Sequence, residues 1–403
     1  MKQLLRFELK KIFVRKINRI AITAGVLLVI ISNIAFIHGE SLYLDDGNSL
    51  KGVNAIKTQT ETENALSSKL TEEFLTEFLR NYQQEIQNGS FEDYSLIAPK
   101  SNLFTLIAEN YTEWNDNWDW ETLNQIRTEN DIGFYERRIE KMETLLNADY
   151  TYGNYTDTEK NFWLQKAESI HTPFTWGSRT TWTIILRSVS FLFFQCFVIA
   201  LCLAPVFAGE FQNRTDSLIL SAKHGKGRLI DAKVIASLVF TFFYISLCSI
   251  LTVGINVMIL GIDGWNLPMQ LWSTMIPYHL NAAGACGLSF LIIFSICFLL
   301  TAITLMFSTV CKSQMVTLAF DIVLFFGTVF IPFSKTSGLW NHILYLCPIH
   351  IMDLTNVLKS FISYQFGNVV IPHLVMIFIV YATITIVCLC YAKENFKRHQ
   401  IGK

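Results

Sequence analysis

The chain alternates long apolar runs with shorter polar segments, and the apolar runs have the length of membrane-spanning helices. A helix needs about 20 residues to cross about 30 Å of hydrocarbon. Runs of this kind lie near residues 20–37, 182–208, 234–260, 283–308, 315–333 and 371–392. The pattern therefore predicts an all-α integral membrane protein with six transmembrane helices. The composition agrees, since only 16% of the residues are charged.

The distribution of charge orients these spans. Residues 1–19 carry seven Lys and Arg and one acid, Glu8, whereas residues 38–180 carry 25 Asp and Glu against 12 Lys and Arg. Lys and Arg collect on the cytoplasmic side. Six spans place segment 1–19, the 209–233 loop, Lys312 and the basic C-terminal tail on that side, so both termini are predicted to be cytoplasmic. Five spans would put the basic tail outside, which makes six the favoured number.

The N-terminal segment has a helical pattern of its own. Apolar and basic positions alternate at helical spacing through residues 4–17, which suits an amphipathic interfacial helix within 1–19 on the inner membrane face; the alternative is an ordinary basic flank. The run 20–37 is interpreted as an uncleaved span. Its basic region is too long for a typical secretory signal peptide, and no small-x-small cleavage site follows it.

The acidic segment 38–180 is long enough to form an extracellular domain. Apolar residues recur every four positions through 66–86 and recur again through 131–147, and both patterns predict helices. Thr156 and Glu159 have the spacing of a helix capping box. The segment contains no Cys, so this helical domain is expected to fold without disulfides.

A run of aromatic and acidic residues stands within this domain and gives three extracellular ligand candidates, Trp114, Trp118 and Trp120. The excess of acids would attract a cationic amphipathic ligand. The alternative interpretation is that these tryptophans fill the domain core or rest at the lipid interface.

The loop between the second and third apolar runs carries the most specific pattern. It combines a glutamate at the end of the span, a Thr- and Leu-containing stretch, and a Gly-rich basic turn before the next span. Its defining positions are Glu210, Arg214, Thr215, Leu218, Leu220, Arg228 and Lys233. Glu210 and Arg214 stand four residues apart, and a short amphipathic helix is predicted to follow the span.

This loop resembles that of the permease subunits of bacterial type-2 ATP-binding-cassette (ABC) exporters. In that family a Glu closes the second span, a short Thr/Leu-rich coupling helix docks into the ATPase, and a basic turn leads to a Lys that begins the third span. The resemblance implies ATPase-coupling roles for the residues just named, more loosely for Arg228 and Lys233. The run 173–176 and the large domain between spans one and two resemble a bacillus-type subgroup. The alternative is an ordinary inner loop that obeys the positive-inside rule.

The resemblance also implies partners. Two ATP-binding subunits and a second permease, identical or related, would complete the transporter, and ATP and Mg would be bound by the partner ATPase. The chain itself lacks the Gly-x4-Gly-Lys-Ser/Thr pattern that cradles phosphates, and no metal ligands or catalytic residues are expected in it. The expected substrate is hydrophobic or amphipathic (a peptide, a lipid or a drug), and the expected location is the bacterial cytoplasmic membrane.

Three polar residues fall within the predicted spans, and such residues are functional candidates by default. They are Arg187, Gln195 and Asp321. Arg187 and Asp321 lie in opposite leaflets, so they are predicted not to pair within one chain. Arg187 has the alternative of reaching to the outer headgroups. Gln195, near mid-membrane, is a candidate for the interface between permeases.

Two other functional classes compete with the transporter. A non-transporting membrane sensor would use the extracellular domain to bind an envelope-stress ligand. A membrane-embedded enzyme would need an acid–base or metal constellation, which the sequence does not display.

Overall fold

The computed structural model describes residues 1–44, 48–66, 68–87, 100–112, 120–215, 217, 221 and 225–398. Within these residues, five helices are long and apolar enough to cross a membrane. We call them span 1 (Lys16–Gly39), span 2 (Thr180–Gln212), span 3 (Ile230–Leu260), span 4 (Ala282–Val310) and the last span (His373–Arg398). The fifth predicted run, 315–333, forms a shorter apolar helix, Gln314–Phe330.

The N-terminal helix Lys2–Val14 precedes span 1 and is separated from it by one extended residue, Arg15 (φ −62°, ψ 127°). This break gives the two helices independent directions. The N-terminal helix therefore ends at Val14, and residues 16–19 of the predicted segment 1–19 belong to span 1.

Span 2 is built from several consecutive pieces. They are Thr180–Phe191, a 3₁₀ turn at Leu192–Phe194, Gln195–Leu203 and Pro205–Gln212. Pro205 accounts for the last division, because proline has no N–H to donate within a helix.

The segment between spans 1 and 2 is largely helical, as predicted. Its helices are Val53–Leu66, Glu72–Gln87, Ser101–Tyr111, Trp120–Gln125, Phe134–Asn147 and Asp157–Glu168, with a short hairpin of Ser41–Tyr43 and Ser49–Lys51. The periodic stretch 66–86 lies mostly in the second helix, which begins only at Glu72. The capping box is confirmed: the Glu159 N–H donates to Thr156 Oγ1 at 3.2 Å, and the Thr156 N–H donates to Glu159 Oε2 at 3.0 Å.

The loop before the last span contains both helix and strand. It contains the helices Gly338–Tyr345 and Leu354–Lys359, followed by an antiparallel hairpin of Ser363–Phe366 and Val369–Pro372. The hairpin forms because β-branched residues favour extended backbone and Gly367 adopts the positive φ (+61°) that its tight turn requires.

This loop packs directly on the large inter-span segment. Thr151 Oγ1 donates to the Lys335 carbonyl at 2.5 Å, and Ser363 Oγ donates to Glu159 Oε1 at 2.8 Å. The loop between spans 3 and 4 packs on the same segment, because the buried Arg138 donates to the Thr274 carbonyl at 2.6 Å. All three segments therefore lie on one side of the membrane.

That arrangement bears on the number of spans. The chain leaves this side through span 4 and is back beside the same segment by Lys335, which favours a second crossing between them. Gln314–Phe330 is the only described apolar helix in that interval, and 17 residues at about 1.5 Å each reach about 25 Å. The geometry favours the prediction of six spans over five.

Cysteine labelling tests this topology. We expect Lys160→Cys and Lys335→Cys to react with a membrane-impermeant maleimide added to intact cells, because both would face outward. The background chain has the three cysteines that are not buried replaced by serine; these are Cys311, Cys347 and Cys390. Arg398→Cys is the control and should react only after permeabilisation. Protection of Lys335→Cys in intact cells would contradict six spans.

Candidate functional site

A buried group of charges lies at the membrane end of the 209–233 loop. We call it the charge cluster, and it consists of Glu8, Lys11, Glu210 and Lys233. Its members come from the N-terminal helix, the last turn of span 2 and the first turn of span 3. Segments far apart in sequence are therefore joined at one point.

Lys233 is the centre of the charge cluster. Its Nζ lies 2.7 Å from Glu210 Oε1, 3.0 Å from Glu8 Oε2 and 3.2 Å from the Val206 carbonyl oxygen. A lysine ammonium has three N–H donors, and here all three are used. The side chain is only 1% exposed, so its charge depends on these partners rather than on water.

Lys11 balances the second carboxylate. Its Nζ lies 2.9 Å from Glu210 Oε1 and 3.4 Å from Glu8 Oε1, with the side chain 41% exposed. Partial burial alone would lower the pKa of Lys11, but the hydrogen bond and charge of Glu210, together with the charge of Glu8, raise it above its usual value. Two acids and two ammonium groups make the cluster neutral, which is the condition for burying charge at low cost.

The chain after Glu210 turns back on this residue. The helix ends at Gln212, and Arg214 adopts a left-handed backbone (φ 57°). Thr215 then donates its hydroxyl to Glu210 Oε2, and its N–H donates to the Glu210 carbonyl at 3.0 Å. Because the helix has ended, Glu210 and Arg214 do not form the helical i,i+4 pair that their spacing suggested.

The predicted coupling residues thus separate into three groups. The structure brings Glu210, Thr215 and Lys233 together. Within the described residues, Arg214 and Arg228 are exposed and have no carboxylate within 4.0 Å. Leu218 and Leu220 lie outside the described residues.

Sequence reasoning missed Glu8 and Lys11, because it assigned their helix to the membrane surface alone. The available signal was Glu8 itself, the one acid among the seven basic residues of segment 1–19. An isolated acid on the buried face of a basic helix indicates a cation elsewhere in the fold.

Span 2 is also hydrogen-bonded to span 4 next to Pro205. Ser308 Oγ donates to the Ala204 carbonyl at 2.7 Å and accepts N–H groups from Phe207 at 3.1 Å and Ala208 at 2.7 Å. A hydroxyl has one donor and two acceptor sites, so this fully buried serine uses its whole capacity on backbone groups on both sides of Pro205, where the helix is interrupted.

The intramembrane candidates lie apart from one another. Arg187 Nη2 pairs with Glu40 Oε1 at 2.9 Å, and Asp321 Oδ2 accepts the Thr304 hydroxyl at 2.8 Å. Each thus has its own partner, and the two do not pair. Gln195 Oε1 accepts the Tyr244 hydroxyl at 2.6 Å and is fully buried within this chain, so it does not reach a surface that a second chain could contact.

The side chains of the three tryptophan candidates lie outside the described part of the chain. Trp114 and Trp118 lie outside the described residues. Trp120 begins the helix Trp120–Gln125, but its side chain is also outside the described part of the chain.

A family model described as ABC-2 family transporter protein matches residues 10–393 of the chain. The match covers nearly the whole length, and the chain belongs to this family, whose members are membrane components of ABC transporters. No match to the chain was found among curated proteins or among solved structures.

Removing the central cation tests the charge cluster. Lys233→Met would leave two buried carboxylates facing each other, and breaking a buried pair from one side costs about 3–5 kcal/mol. We expect that loss in the free energy of unfolding of the detergent-solubilised chain, measured by denaturant titration. Lys11→Met is the matched control: it also removes one positive charge from the charge cluster, but Lys11 is 41% exposed, so water screens its pairs and the loss should be smaller. Equal losses in the two variants would show that burial of Lys233 contributes nothing.

The packing around Gln195 gives a second test. A Cβ at Gly25 would lie 2.1 Å from Tyr244 Oη and 2.8 Å from Gln195 Oε1. Gly25→Ala should therefore lower the free energy of unfolding by about 1–3 kcal/mol through overpacking, and Tyr244→Phe in the same chain should restore part of it. Gly287→Ala, where nothing lies within 4 Å, should leave stability nearly unchanged. A harmless Gly25→Ala would mean that spans 1, 2 and 3 do not approach this closely.

Proposed function

We propose that this ABC-2 family member is the permease subunit of an ATP-driven exporter and that its 209–233 loop receives the motion of a separate ATPase. The observation that carries the proposal is the charge cluster at the two ends of that loop. Glu210 begins the loop, Lys233 ends it, and the two are joined at 2.7 Å.

The cluster explains how a force on the loop would reach the membrane. A loop whose ends were free would bend when pushed, and the spans would stay in place. Here both ends are fixed to each other and to Glu8 of the N-terminal helix. A displacement of the loop would therefore move spans 2 and 3 and the N-terminal helix together.

ATP hydrolysis would be supplied by partner chains. The basic exposed residues of the loop, such as Arg228 and Arg214, suit a docking surface that carries acidic groups. Two ATP-binding subunits that hold ATP and Mg, docked at the inner face, are the partners that this arrangement requires.

A second permease would complete the pathway, and the described surface has a place for it. Span 1 and the helix Gln314–Phe330 expose large apolar side chains to lipid or to another chain. The most exposed are Ile17, Ile20, Met315, Val323 and Phe330. We propose that this face packs against a second permease, identical or related, and that a hydrophobic or amphipathic substrate moves outward between the two.

Co-purification with an ATPase tests the proposal. Full-length chain would be pulled down from its native membrane in detergent, and bound ATPase would be identified by mass spectrometry and assayed for activity. We expect the wild-type chain to co-purify with an ATP-binding subunit. Leu218→Asp should reduce the amount of co-purified ATPase at least about tenfold, because a charge in an apolar contact is strongly unfavourable.

The matched control is Val369→Asp, which makes the same kind of change at an exposed residue of the hairpin before the last span. It should retain the ATPase. Wild-type chain that carries no ATPase would overturn the exporter and favour a membrane sensor. If both aspartate variants lost the ATPase to the same extent, the 209–233 loop would not be part of the docking surface.

A further inference from the structure

A cavity of about 360 Å³ lies where the large inter-span domain meets the loop before the last span. One wall is the turn that follows Asn147, and the other is the helix Gly338–Tyr345. Gly338 permits this contact, because a Cβ there would lie 2.6 Å from the Tyr152 carbonyl oxygen. The cavity is thus formed by two segments that the fold holds against each other.

Four tyrosines line the cavity: Tyr150, Tyr152, Tyr155 and Tyr345. Tyr150 stacks on Tyr152 with ring centroids 5.2 Å apart, and its edge meets Tyr155 at 6.0 Å. The Tyr150 hydroxyl is fixed by donation to the Leu145 carbonyl at 2.8 Å. Rings held in this way form a stable aromatic lining, and the faces of aromatic rings attract organic cations.

The cavity also contains an acid without a cation. Glu159 is its one carboxylate, and the lining includes no Lys or Arg. The carboxylate accepts hydrogen bonds from Thr156 and from Ser363. Among the described residues, no cationic nitrogen lies within 4.0 Å of it. The negative charge is therefore held in place by neutral donors and remains available to a ligand.

His342 is the other ionisable residue of the lining besides Glu159 and the tyrosines. Its Nδ1 lies 2.7 Å from the Gly338 carbonyl and its Nε2 lies 3.1 Å from the Ser363 carbonyl. Both ring nitrogens face backbone carbonyl oxygens, of which a neutral imidazole can donate to one, and neither nitrogen contacts Glu159.

The rest of the cavity lining favours a ligand that carries an apolar group beside its cation. Leu145, Leu339, Phe361 and Ile362 contribute hydrophobic surface. The volume lies at the lower end of the range for small-ligand pockets, which suits one basic side chain with one apolar side chain beside it. The excess of 25 acids over 12 basic residues in 38–180 would raise the local concentration of such a cation.

We infer that this cavity is a binding site for an organic cation, a guanidinium or ammonium group attached to an apolar moiety. The inference deepens the proposed function. Only one part rests on that function, namely that the bound cation would belong to the exported molecule. Glu159 would neutralise the cation, the tyrosines would surround it, and the leucine and phenylalanine side chains would contact its apolar part.

Binding to the full-length chain in lipid nanodiscs tests this inference. The probe is N-acetyl-phenylalanyl-arginine amide, and the matched ligand is its citrulline counterpart, which has nearly the same shape and no charge. We expect calorimetry to show about tenfold tighter binding of the arginine compound, the size that a charge and aromatic contacts of this kind supply.

Substitutions then locate the site. Glu159→Gln removes the charge but keeps a side chain able to form the capping box, and it should abolish the preference for arginine. Tyr155→Leu should weaken binding of the arginine compound severalfold. Glu168→Gln is the control: it makes the same charge change at the exposed far end of the same helix, and it should bind like wild type.

Equal affinity for the two compounds, or an unchanged preference in Glu159→Gln, would overturn the site. Such a failure is distinct from a failure of the proposed function, because ATPase co-purification depends on the opposite end of the molecule. A chain that binds its ATPase but not the arginine compound would remain a permease without this cation site.

Discussion

The fold depends on the burial of one ammonium group. Lys233 is removed from water and surrounded by Glu8, Glu210 and a backbone carbonyl, and a buried charge that lost these partners would be strongly unfavourable. The N-terminal helix must therefore lie where Glu8 reaches span 3, and span 2 must end where Glu210 does. The break at Arg15 and the end of the helix at Gln212 permit both conditions to be met together.

A different kind of constraint operates at the other end of the spans. There the contacts are mostly hydrogen bonds between side chains and backbone, in which Glu109 accepts the Thr274 N–H at 2.7 Å and Arg138 donates to the Thr274 carbonyl at 2.6 Å. Burial lowers the pKa of Arg138 to about 10, which still leaves the guanidinium charged near neutral pH. The domain is thus attached to short inter-span loops, so movement of the spans would be transmitted to it.

The sequence predicted what depends on local periodicity and length. The apolar runs, the helix predicted over 131–147 and the Thr156–Glu159 capping box follow from spacing alone, and they are observed, the helix as Phe134–Asn147. The contact of Glu8 with Lys233 spans 225 residues, and no local pattern encodes which distant acid a lysine meets. The cavity beside Tyr152 was missed for the same reason, because spans 2, 3 and 4 and the helix Gln314–Phe330 lie between its two walls in the sequence.

Polar contacts inside the membrane limit which helices can move apart. Span 1 is tied to span 2 by Asn18, which donates to the Cys202 carbonyl at 3.3 Å, and to span 3 by the hydrogen bond between Asn33 and Asn256. Separating these helices in hydrocarbon would leave polar groups without partners, which is costly. The polar contact of Asp321 is with span 4 alone, and the rest of its helix presents apolar side chains. Span 4 is joined to the same group, through Ser308 to span 2 and through Thr301 to Thr241 of span 3 at 2.7 Å. We therefore expect spans 1 to 4 to move as one body and the opening of a path to occur along apolar contacts, where no hydrogen bond has to be broken.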